Sequence, residues 1–550
     1  MNSIENIKNR FISYLQQTFS INTQQMYNFQ LSLNTDPDRQ QFGDLTSTAP
    51  LLLAKQLGKP PRTIAQQIIT EFTHPLIAKT EIAGPGFINF YLTTQAWQTT
   101  AQELHTNGKA YFELSQKELR YNYNIEFISA NPTGPLHLGH GRGGIIGDVL
   151  GNILRFLGHQ VTKEFYVNDA GTQMQKLGKS FKIRIAQELG QPLELLQDGY
   201  QGSYLVDLAK ACIAQYGPEV IQQNDQFFIT YAHDHLLAQQ KETLKTYGIY
   251  FDIWFSEKEL HQSGAIERSL AYLQKSNQTY TQEGALWFKS TEYGDDKDRV
   301  LKKANGELTY VAADIAYMKD KIDRGANHLV MTLGQDHHSY VVRLHGLQKA
   351  LGLEAIPFDI ILYQLVSLKE GGEQLRMSKR AGRMVTLHEI IELVGPDVAR
   401  FFYLHRKADA HLEFDLDLAL KKTDENPVYY VQYAFVRTKS ILEKAEIHPE
   451  LQYISNEDAL HMTKQETILL KKIVTLKELL SSITQNHQTH LLTYYVIELA
   501  NLFHAYYAKH RVIDLEHIPE SRARLLMIKL MSNTFETVLK LLGITRPNQM

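Results

Sequence analysis

His137 and His140 are a pair whose type and spacing suggest chemistry. They lie in SANPTGPLHLGHGRGG, which runs from Ser129 to Gly144. If a helix begins here, both rings point to one side near its amino end, where the first backbone N–H groups have no partner within the helix. Imidazoles beside open amides can donate hydrogen bonds to phosphate oxygens that gain charge during phosphoryl or nucleotidyl transfer. The HxxH pattern alone also fits a surface turn, and zinc would need a third ligand that no neighbouring residue supplies.

Glycine and proline shape this segment. A strand-like run, YNYNIEF at 121–127, precedes it, and a helical run, IIGDVLGNILRFLG at 145–158, follows. The segment is therefore a strand-to-helix turn, which is a common phosphate site. Gly139 allows a flat base or a phosphate to approach the backbone closely, and Pro132 and Pro135 stiffen the entry.

A second candidate is the segment VSLKEGGEQLRMSKRAGR, residues 366–383. It holds five lysines and arginines against two glutamates, and glycines flank its basic part at 371, 372 and 382. The chain as a whole has a net charge of -3, so it is not a polycation that binds nucleic acid indiscriminately. A basic loop of this kind can still meet phosphate groups locally.

The elements that must position these segments follow a βαβ pattern. The strand-like run QVTKEFYVND (160–169) follows the helix, and this order predicts a parallel, doubly wound sheet. After a mostly helical, polar region at about 172–283, strand-like runs return as ALWFKS (285–290), HLVMTLG (328–334) and FDIILYQLVSL (358–368). We interpret the helical region as a large insertion. Ligands of such sheets bind at the carboxyl ends of the strands.

The two ends of the chain have other patterns. Apolar residues at helical spacing from 4 to 15 predict an amphipathic helix rather than a signal peptide, and the first hundred residues fit a small α/β domain. Helical apolar spacing continues from about 416 to the end, which predicts a bundle. The apolar run at 491–507 contains Glu498, so we expect a buried helix there and not a membrane span.

Composition limits the possible classes of protein. A length of 550 residues allows three or four domains, and 43% hydrophobic with 21% charged residues is ordinary for a folded globular chain. Cys212 is the single cysteine, which excludes an intrachain disulfide and a thiolate zinc cluster. We expect it to be a buried thiol in a reducing compartment.

Both candidate segments resemble signatures of the class I aminoacyl-tRNA synthetases. HLGH (137–140) is similar to their HIGH motif, and RMSKR (376–380) is similar to their KMSKS loop. The segments EFISANPTGPLHLGHGRGGIIGDVL, YVNDAGTQM, DHHSYV, NPVYYVQYAFVR, FHAYYAKHRV and GPGFINF resemble the arginyl-tRNA synthetases of bacterial type over nearly the whole chain. Leu138 replaces isoleucine of HIGH, while Arg376 and Arg380 replace the first lysine and the final serine of KMSKS. These changes conserve volume or keep or add charge.

The resemblance implies an α/β fold class with three kinds of unit. We expect a tRNA-contacting N-terminal α/β domain at 1–115 and a Rossmann-type catalytic domain with a parallel sheet at 116–365, its insertion lying at about 172–283. The KMSKS-like loop and a connecting region should occupy 366–420. An all-α anticodon-binding bundle should occupy 421–550.

The resemblance also implies an arginine–tRNA ligase. Such an enzyme joins L-arginine to ATP through the α-phosphate, releases pyrophosphate, and passes the arginyl group to the 2′-hydroxyl of the terminal adenosine of tRNA(Arg). Mg²⁺ would accompany ATP, and we expect no structural metal. A cytoplasmic monomer with no membrane partner is implied as well.

Site residues follow from the same resemblance. His137, His140 and Lys379 would be catalytic, with the histidines stabilising phosphates in the transition state and Lys379 reaching the pyrophosphate as a mobile charge. The HIGH-like motif comprises Ala130, Asn131, Pro132, Thr133, Gly134, Pro135, Leu136, His137, Leu138, Gly139 and His140. The expected ATP contacts are Gly134, Pro135, Leu138, Gly139, Asp336, Val366, Met377 and Ser378. Gly139 should lie under the adenine, Asp336 should accept from a ribose hydroxyl, and Val366 should offer its backbone to the adenine.

An arginine substrate makes its own physical demand. A guanidinium is planar, forked and always charged, so its pocket needs carboxylates and preferably an aromatic face. The expected arginine contacts are Glu126, Ser129, Asn131, Tyr310, Asp314 and Gln335. Tyr310 and Asp314 are four apart, which places them on one face of a helix. Without the resemblance, Asp314 would suit a surface ion pair with Lys319 or Lys321 better.

The expected tRNA contacts are Tyr430, Tyr433 and Arg437, which the resemblance places at the anticodon. Their alternative is ordinary helix packing and surface charge. This bundle has no strong excess of positive charge, so base stacking and shape recognition would have to contribute to RNA binding together with phosphate contacts.

Rival functions make different demands on the sequence. A synthetase for cysteine would need a thiolate zinc site, and one for glutamate should present arginines at positions 126 and 314. A noncatalytic RNA-binding relative would be expected to have lost His137, His140 or Lys379. A small-molecule nucleotidyltransferase would not need the long helical C-terminal part.

Overall fold

The computed structural model describes residues 2–21, 29, 31–114, 119–375 and 385–550. Its helices are α1 (Ser3–Phe19), α2 (Ala49–Leu57), α3 (Pro61–Glu71), α4 (Thr94–Asn107), α5 (Leu138–Leu157), α6 (Thr172–Glu188), α7 (Tyr204–Tyr216), α8 (Asp225–Thr246), α9 (Glu257–Gln262), α10 (Ala265–Lys275), α11 (Tyr310–Asp323), α12 (His338–Ala350), α13 (Leu387–Val394), α14 (Pro396–Leu404), α15 (Leu416–Ala419), α16 (Pro427–Ala445), α17 (Lys464–Asn486), α18 (Leu491–Lys509) and α19 (Ile518–Leu542). Its strands are β1 (Ser32–Leu33), β2 (Leu45–Ser47), β3 (Ile77–Ala83), β4 (Phe87–Leu92), β5 (Asn122–Glu126), β6 (Gln160–Val167), β7 (Ile253–Ser256), β8 (Thr279–Gln282), β9 (Ala285–Phe288), β10 (Arg299–Lys302), β11 (His328–Gly334), β12 (Phe358–Tyr363), β13 (Val366–Glu370), β14 (Glu373–Leu375) and β15 (Leu412–Asp415).

The amino-terminal unit packs helices on an antiparallel sheet in the order β1–β2–β4–β3. α1 begins at a capping box in which Asn2 and Glu5 satisfy each other's backbone N–H groups. Its apolar stripe is buried, and Phe11 meets Phe90 of β4 edge to face at 5.6 Å. The small α/β unit predicted from the sequence is therefore present.

The central sheet is parallel and runs β12–β11–β5–β6–β7. From β5 the chain passes through α5 to β6 on one side, whereas β11 and β12 lie on the other side. The strand order therefore reverses at the carboxyl end of β5, the point at which doubly wound sheets bind ligands. α5 is buried along almost its whole length. This confirms the doubly wound fold and places the segment after β5 at the binding edge.

The region at 172–283 is only partly separate from this sheet. Helices α6, α7 and α8 form a unit with its own core, which includes Phe181, Cys212 and Phe228. β7 lies in the same stretch of sequence, yet it pairs with β6 and belongs to the parallel sheet. The helical unit is thus inserted between two neighbouring strands.

The strand-like run at 285–290 does not join the parallel sheet. It forms β9 in an antiparallel sheet of the order β10–β9–β8. The two residues between β8 and β9, Glu283 and Gly284, have φ values of 52° and 77°. Positive φ at both central positions defines a tight hairpin turn, so β9 must fold back onto β8.

The run FDIILYQLVSL forms two strands rather than one. β12 stays in the parallel sheet, and β13 turns away to pair with β14 and β15. The extended run is interrupted at Gln364, between β12 and β13, and the carbonyl oxygen of Gln364 accepts a hydrogen bond from Arg142 at 2.8 Å. The KMSKS-like residues follow β14.

The carboxyl-terminal part is a helical bundle built mainly from α16, α17, α18 and α19, as the apolar spacing predicts. Arg400 of α14 attaches it to the catalytic core, because this buried side chain donates to Asp148 of α5 and, at 2.8 Å, to the Leu542 carbonyl of α19. Within the described ranges, no helix has both the length and the apolar character that crossing a membrane requires.

Candidate functional site

The histidine turn, residues 130–140, is the starting point of the candidate site. His137 Nδ1 accepts the Gly139 N–H at 3.1 Å, and His140 Nδ1 accepts the His137 N–H at 3.2 Å. The two rings stack with their centroids 3.6 Å apart. Because Nδ1 is the acceptor on each ring, a neutral imidazole carries its proton on Nε2. Each Nε2–H can then donate to a phosphate oxygen.

The backbone N–H groups at the start of α5 are engaged, contrary to the expectation that they stay open to an anion. Leu138 N donates to the Val385 carbonyl at 3.3 Å. Gly139 N donates to the imidazole of His137, and His140 N donates to the His137 carbonyl at 3.0 Å. Backbone N–H groups at a helix start usually lack acceptors. Here the His137 imidazole, the His137 carbonyl and the Val385 carbonyl supply them. Donors toward a phosphate must therefore come from side chains.

His140 acts as a neutral group. Burial, and secondarily the charge of His137, lower the pKa of His140 to about 3. At pH 7 its ring is therefore a hydrogen-bond donor and not a cation. Gly139 is needed for this packing, since an added Cβ would lie 3.0 Å from Cε1 of His137. His140 therefore supplies a hydrogen bond, and no positive charge, to a phosphate.

The KMSKS-like segment 376–384 lies outside the described residues, and with it the expected contacts Met377, Ser378 and Lys379. The residues directly after it are described. Thr386 forms an antiparallel bridge with His137, and Leu387 N donates to the Leu136 carbonyl at 2.8 Å. The carboxyl-terminal flank of the segment is thus attached to the histidine turn.

Two residues of the helical insertion hold the histidine turn from its other side. The hydroxyl of Tyr204 donates to the Thr133 carbonyl at 2.6 Å. The buried amide of Gln240 donates to the carbonyls of Asn131 at 3.1 Å and Gly134 at 2.8 Å. The sequence carried no signal for these contacts, because both donors lie some 70 to 110 positions away from their acceptors.

Arg142 is a further residue that sequence reasoning missed. Its side chain is buried and donates to the carbonyls of Gln364 and Lys407, each at 2.8 Å. It therefore fixes the break between β12 and β13, next to the expected adenine contact Val366. A charged residue inside the apolar, glycine-rich start of α5 was the available signal.

The other expected ATP contacts lie near the carboxyl ends of β5, β11 and β12. Asp336 follows β11 in a short 3-10 turn with its side chain exposed. Leu138 and Val366 are buried, so only their backbone groups can face a nucleotide. Gly134 and Pro135 are half-buried in the histidine turn.

Three carboxyl groups form what we call the acidic pocket: Glu126 at the end of β5, Asp314 on α11 and Glu257 at the start of α9. Burial, together with the negative charges of Glu126 and Glu257, raises the pKa of Asp314 to about 7, even though the Tyr340 hydroxyl donates to it. Burial also raises the pKa of Glu257, whose Oε2 has no hydrogen-bond partner among the residues described. A cation with several N–H donors would relieve this repulsion.

The alternative expected for Asp314, a surface ion pair with a lysine of its own helix, does not form. Lys319 pairs with Asp323 at 2.9 Å, and Lys321 pairs with Glu126 at 2.6 Å. Asp314 instead faces the pocket. Glu257, which the sequence did not single out, joins it because α9 directly follows β7 in the sheet.

Two of the remaining expected arginine contacts, Ser129 and Tyr310, adjoin the acidic pocket: Ser129 donates to Glu126 at 3.0 Å, and Tyr310 shares a cavity with Glu257. Ser129 follows Ile128, and both have left-handed backbone conformations, with φ values of 43° and 68°. Asn131 is exposed and Gln335 is half-buried. Tyr310, at the start of α11, is 55% exposed and lines a cavity of ≈680 Å³ together with Glu257. Ser129 and Asn131 follow β5 and Gln335 follows β11, at the carboxyl ends of two paired parallel strands.

The expected tRNA contacts lie on one face of α16 opposite α18. The rings of Tyr430 and Tyr433 lie 4.7 and 5.7 Å from the imidazole of His504. The guanidinium of Arg437 stacks over Tyr507 at 4.9 Å and lines a cavity of ≈420 Å³. Tyr433 is 45% exposed. This face offers aromatic rings and positive charge together, a combination suited to unpaired bases.

Potential metal ligands in the described part of the chain include one trio, Asp514, Glu516 and His517, whose ligand atoms lie within 4.8 Å of one another. Two of its members are exposed, and the trio lies in the loop before α19. Near the histidine turn, His337 lies 3.6 Å from the exposed carboxylate of Asp336.

Comparisons with known proteins cover all parts of the chain. Residues 5–92 match the model of the arginyl tRNA synthetase N terminal domain, residues 103–397 that of the tRNA synthetases class I (R) catalytic domain, and residues 431–550 that of the DALR anticodon binding domain. Arginine–tRNA ligases of Citrifermentans bemidjiense and Geobacter sp. (strain M21) are 40% and 41% identical to it, in each case over 94% of both chains. The solved arginyl-tRNA synthetase of Thermus thermophilus shares the fold, with a TM-score of 0.75 at 20% identity over 99% of this chain and 100% of that one.

Proposed function

This chain belongs to the arginyl-tRNA synthetase family and charges tRNA(Arg) with arginine, and we propose that the histidine turn and the acidic pocket carry out the first of two steps. In that step the arginine carboxylate attacks the α-phosphorus of ATP, and pyrophosphate leaves. In the second step the 2′-hydroxyl of the terminal adenosine attacks the arginyl carbonyl, loses its proton, and AMP leaves. The observation that carries the site assignment is the acidic pocket at the carboxyl end of β5, directly beside the histidine turn.

Arginine binds with its guanidinium in the acidic pocket. Asp314 and Glu126 accept N–H groups of the substrate, and Glu257 supplies a further carboxylate. A planar cation with five N–H donors matches several carboxylates at once, whereas a neutral side chain would leave buried negative charges uncompensated. Ser129, Asn131 and Gln335 surround the amino and carboxyl groups of the substrate, and Tyr310 covers its side chain.

ATP binds across the histidine turn. The Nε2–H groups of His137 and His140 donate to phosphate oxygens that gain negative charge as pyrophosphate departs. Since the pKa of His140 lies far below 7, the His140 donor contributes no full charge. Lys379 supplies a positive charge from the KMSKS-like loop, and Mg²⁺ enters with ATP and neutralises further phosphate oxygens. Asp336 accepts from the ribose, and the backbone near Val366 meets the adenine.

The anticodon end of tRNA(Arg) binds the α16 face. Tyr430 and Tyr433 offer rings on which bases stack. Arg437 offers a positive charge, and the ring of Tyr507 beneath its guanidinium holds that group in place. The family resemblance further supports a cytoplasmic enzyme that acts as a monomer.

Two modified substrates test the second step. Transcripts of tRNA(Arg) that end in 3′-deoxyadenosine should accept labelled arginine, and transcripts that end in 2′-deoxyadenosine should not. Both should bind the protein equally in a filter assay, which is the control for tRNA folding. Charging of the 2′-deoxy transcript alone would overturn the assignment of the 2′-hydroxyl.

A further inference from the structure

Lys321 is a buried lysine whose ammonium the proposed reaction leaves without a role. Its Nζ donates to Glu126 Oε2 at 2.6 Å, and the two side chains are 5% and 9% exposed. The same Nζ lies 4.2 Å above the ring of Tyr317. Removing a charged group from water to this extent is unfavourable unless the group is paired, so each partner needs the other.

Lys321 shares a helix face with the proposed arginine contacts. Tyr310, Asp314, Tyr317 and Lys321 follow one another on α11 at intervals of four, three and four residues, which is the spacing of a single face. The helix that presents Asp314 to the pocket therefore also presents the cation that holds Glu126.

The ammonium is committed to Glu126 and not to the other buried carboxylate nearby. Glu164 already accepts from Arg324 through Nη1 at 2.6 Å and Nη2 at 3.0 Å, and from the Tyr317 hydroxyl at 2.6 Å. Glu126, in contrast, pairs with Lys321 and accepts from one further side chain, the hydroxyl of Ser129 at 3.0 Å. Removing Lys321 would leave Glu126 without a compensating cation in the free enzyme.

The connection continues from Glu126 into a strained part of the backbone. Ser129 Oγ donates to Glu126 and accepts the Tyr166 N–H at 3.1 Å. Ile128 and Ser129 both have positive φ, a conformation that is unfavourable for residues with a side chain. Such a conformation persists only where its surroundings enforce it, and the Lys321–Glu126–Ser129 series of contacts does so.

We propose that Lys321 is a positioning residue for arginine recognition: it touches no substrate, but it orients Glu126 and, through Glu126, the Ser129 corner to receive the substrate. This inference rests on the proposed arginine site. It extends that site by a residue from the opposite end of α11.

The test replaces Lys321 by methionine, which is unbranched, keeps all but the last atom of the side chain's length and removes its charge. In ATP–pyrophosphate exchange with tRNA present, we expect Lys321→Met to raise the KM for arginine by about tenfold or more, while the KM for ATP stays within about twofold. Lys319→Met is the matched control, because Lys319 lies on the same helix in an exposed pair with Asp323. It should leave both constants unchanged.

A double variant separates positioning from general loss of structure. If Lys321 acts through Glu126, the variant Glu126→Gln/Lys321→Met should have an arginine KM no higher than that of Glu126→Gln alone. The double variant also removes both charges of the buried pair. If Lys321→Met does not fold, the comparison of the double variant with Glu126→Gln tests the proposal. Additive losses in the double variant, or an equal rise of the KM values for arginine and ATP in Lys321→Met, would overturn the proposal. Absence of arginine-dependent exchange in the unmodified enzyme would instead refute the proposed function.

Discussion

The raised pKa of Asp314 predicts that arginine binding weakens as the pH falls through 7. With a pKa of about 7, Asp314 is ionised in about one molecule in eleven at pH 6 and in about ten of eleven at pH 8. Only the ionised carboxylate pairs with a guanidinium, and bound arginine holds it ionised. Lowering the pH from 8 to 6 should therefore raise the dissociation constant of arginine about tenfold, which is about 1.4 kcal/mol.

Calorimetric titration of the enzyme with arginine, without ATP or tRNA, measures this effect directly. Near pH 7 binding should release about half a proton per arginine, which appears as a dependence of the observed heat on the ionisation enthalpy of the buffer. Asp314→Asn should bind arginine about a hundredfold more weakly and lose most of the pH dependence. Asp323→Asn is the matched control, because Asp323 lies on the same helix in an exposed ion pair with Lys319.

Two results would refute this reasoning. One is an arginine affinity that stays constant between pH 6 and pH 8. The other is a pH dependence that survives in Asp314→Asn and disappears in Glu257→Gln, which would place the proton on Glu257. The pKa of Glu257 is also raised by burial, so this comparison is needed.

Three further predictions follow from the site. Lys379→Ala should lower the rate of exchange by orders of magnitude while tRNA binding in a filter assay stays largely intact; equal loss of both would make the loop an RNA contact or a structural element. Tyr204→Phe should raise the KM for ATP about fivefold, because one hydrogen bond of about 1 kcal/mol to the histidine turn is lost. An unchanged KM would show that the helical insertion does not position the histidine turn. Arg437→Met should raise the KM for tRNA about tenfold without changing the KM for arginine, whereas Arg546→Met, at an exposed pair with Glu536, should change neither.

Much of the fold could be predicted because its signals are local. Helical spacing in the first helix, the strand–turn–helix order around residue 130 and the apolar faces of the bundle all reflect neighbours within a few positions. The three-residue spacing of His137 and His140 likewise predicted rings on one side of a helix start. The tight turn at Glu283 and Gly284 was not predicted, and the strand that follows it lies outside the parallel sheet.

The errors and omissions involve partners that are distant along the chain. The Leu138 amide at the start of α5 is occupied because Val385, nearly 250 positions later, returns to the histidine turn. Glu257 enters the acidic pocket only because β7 adds to the sheet beside β6, and no local pattern reveals that pairing. Lys321 meets Glu126 across 195 positions. Such contacts depend on the order of strands in the sheet, which spacing alone does not determine.

ATP–pyrophosphate exchange measured with each standard amino acid in turn, in the presence and absence of tRNA(Arg), tests the central claim most directly. The acidic pocket beside the histidine turn predicts exchange with arginine and with no other amino acid, including the cation lysine, whose compact ammonium lacks the planar fork of five N–H donors. By family resemblance the exchange should require tRNA. Exchange supported by a different amino acid, or arginine exchange that is unaffected by Asp314→Asn, would contradict the account.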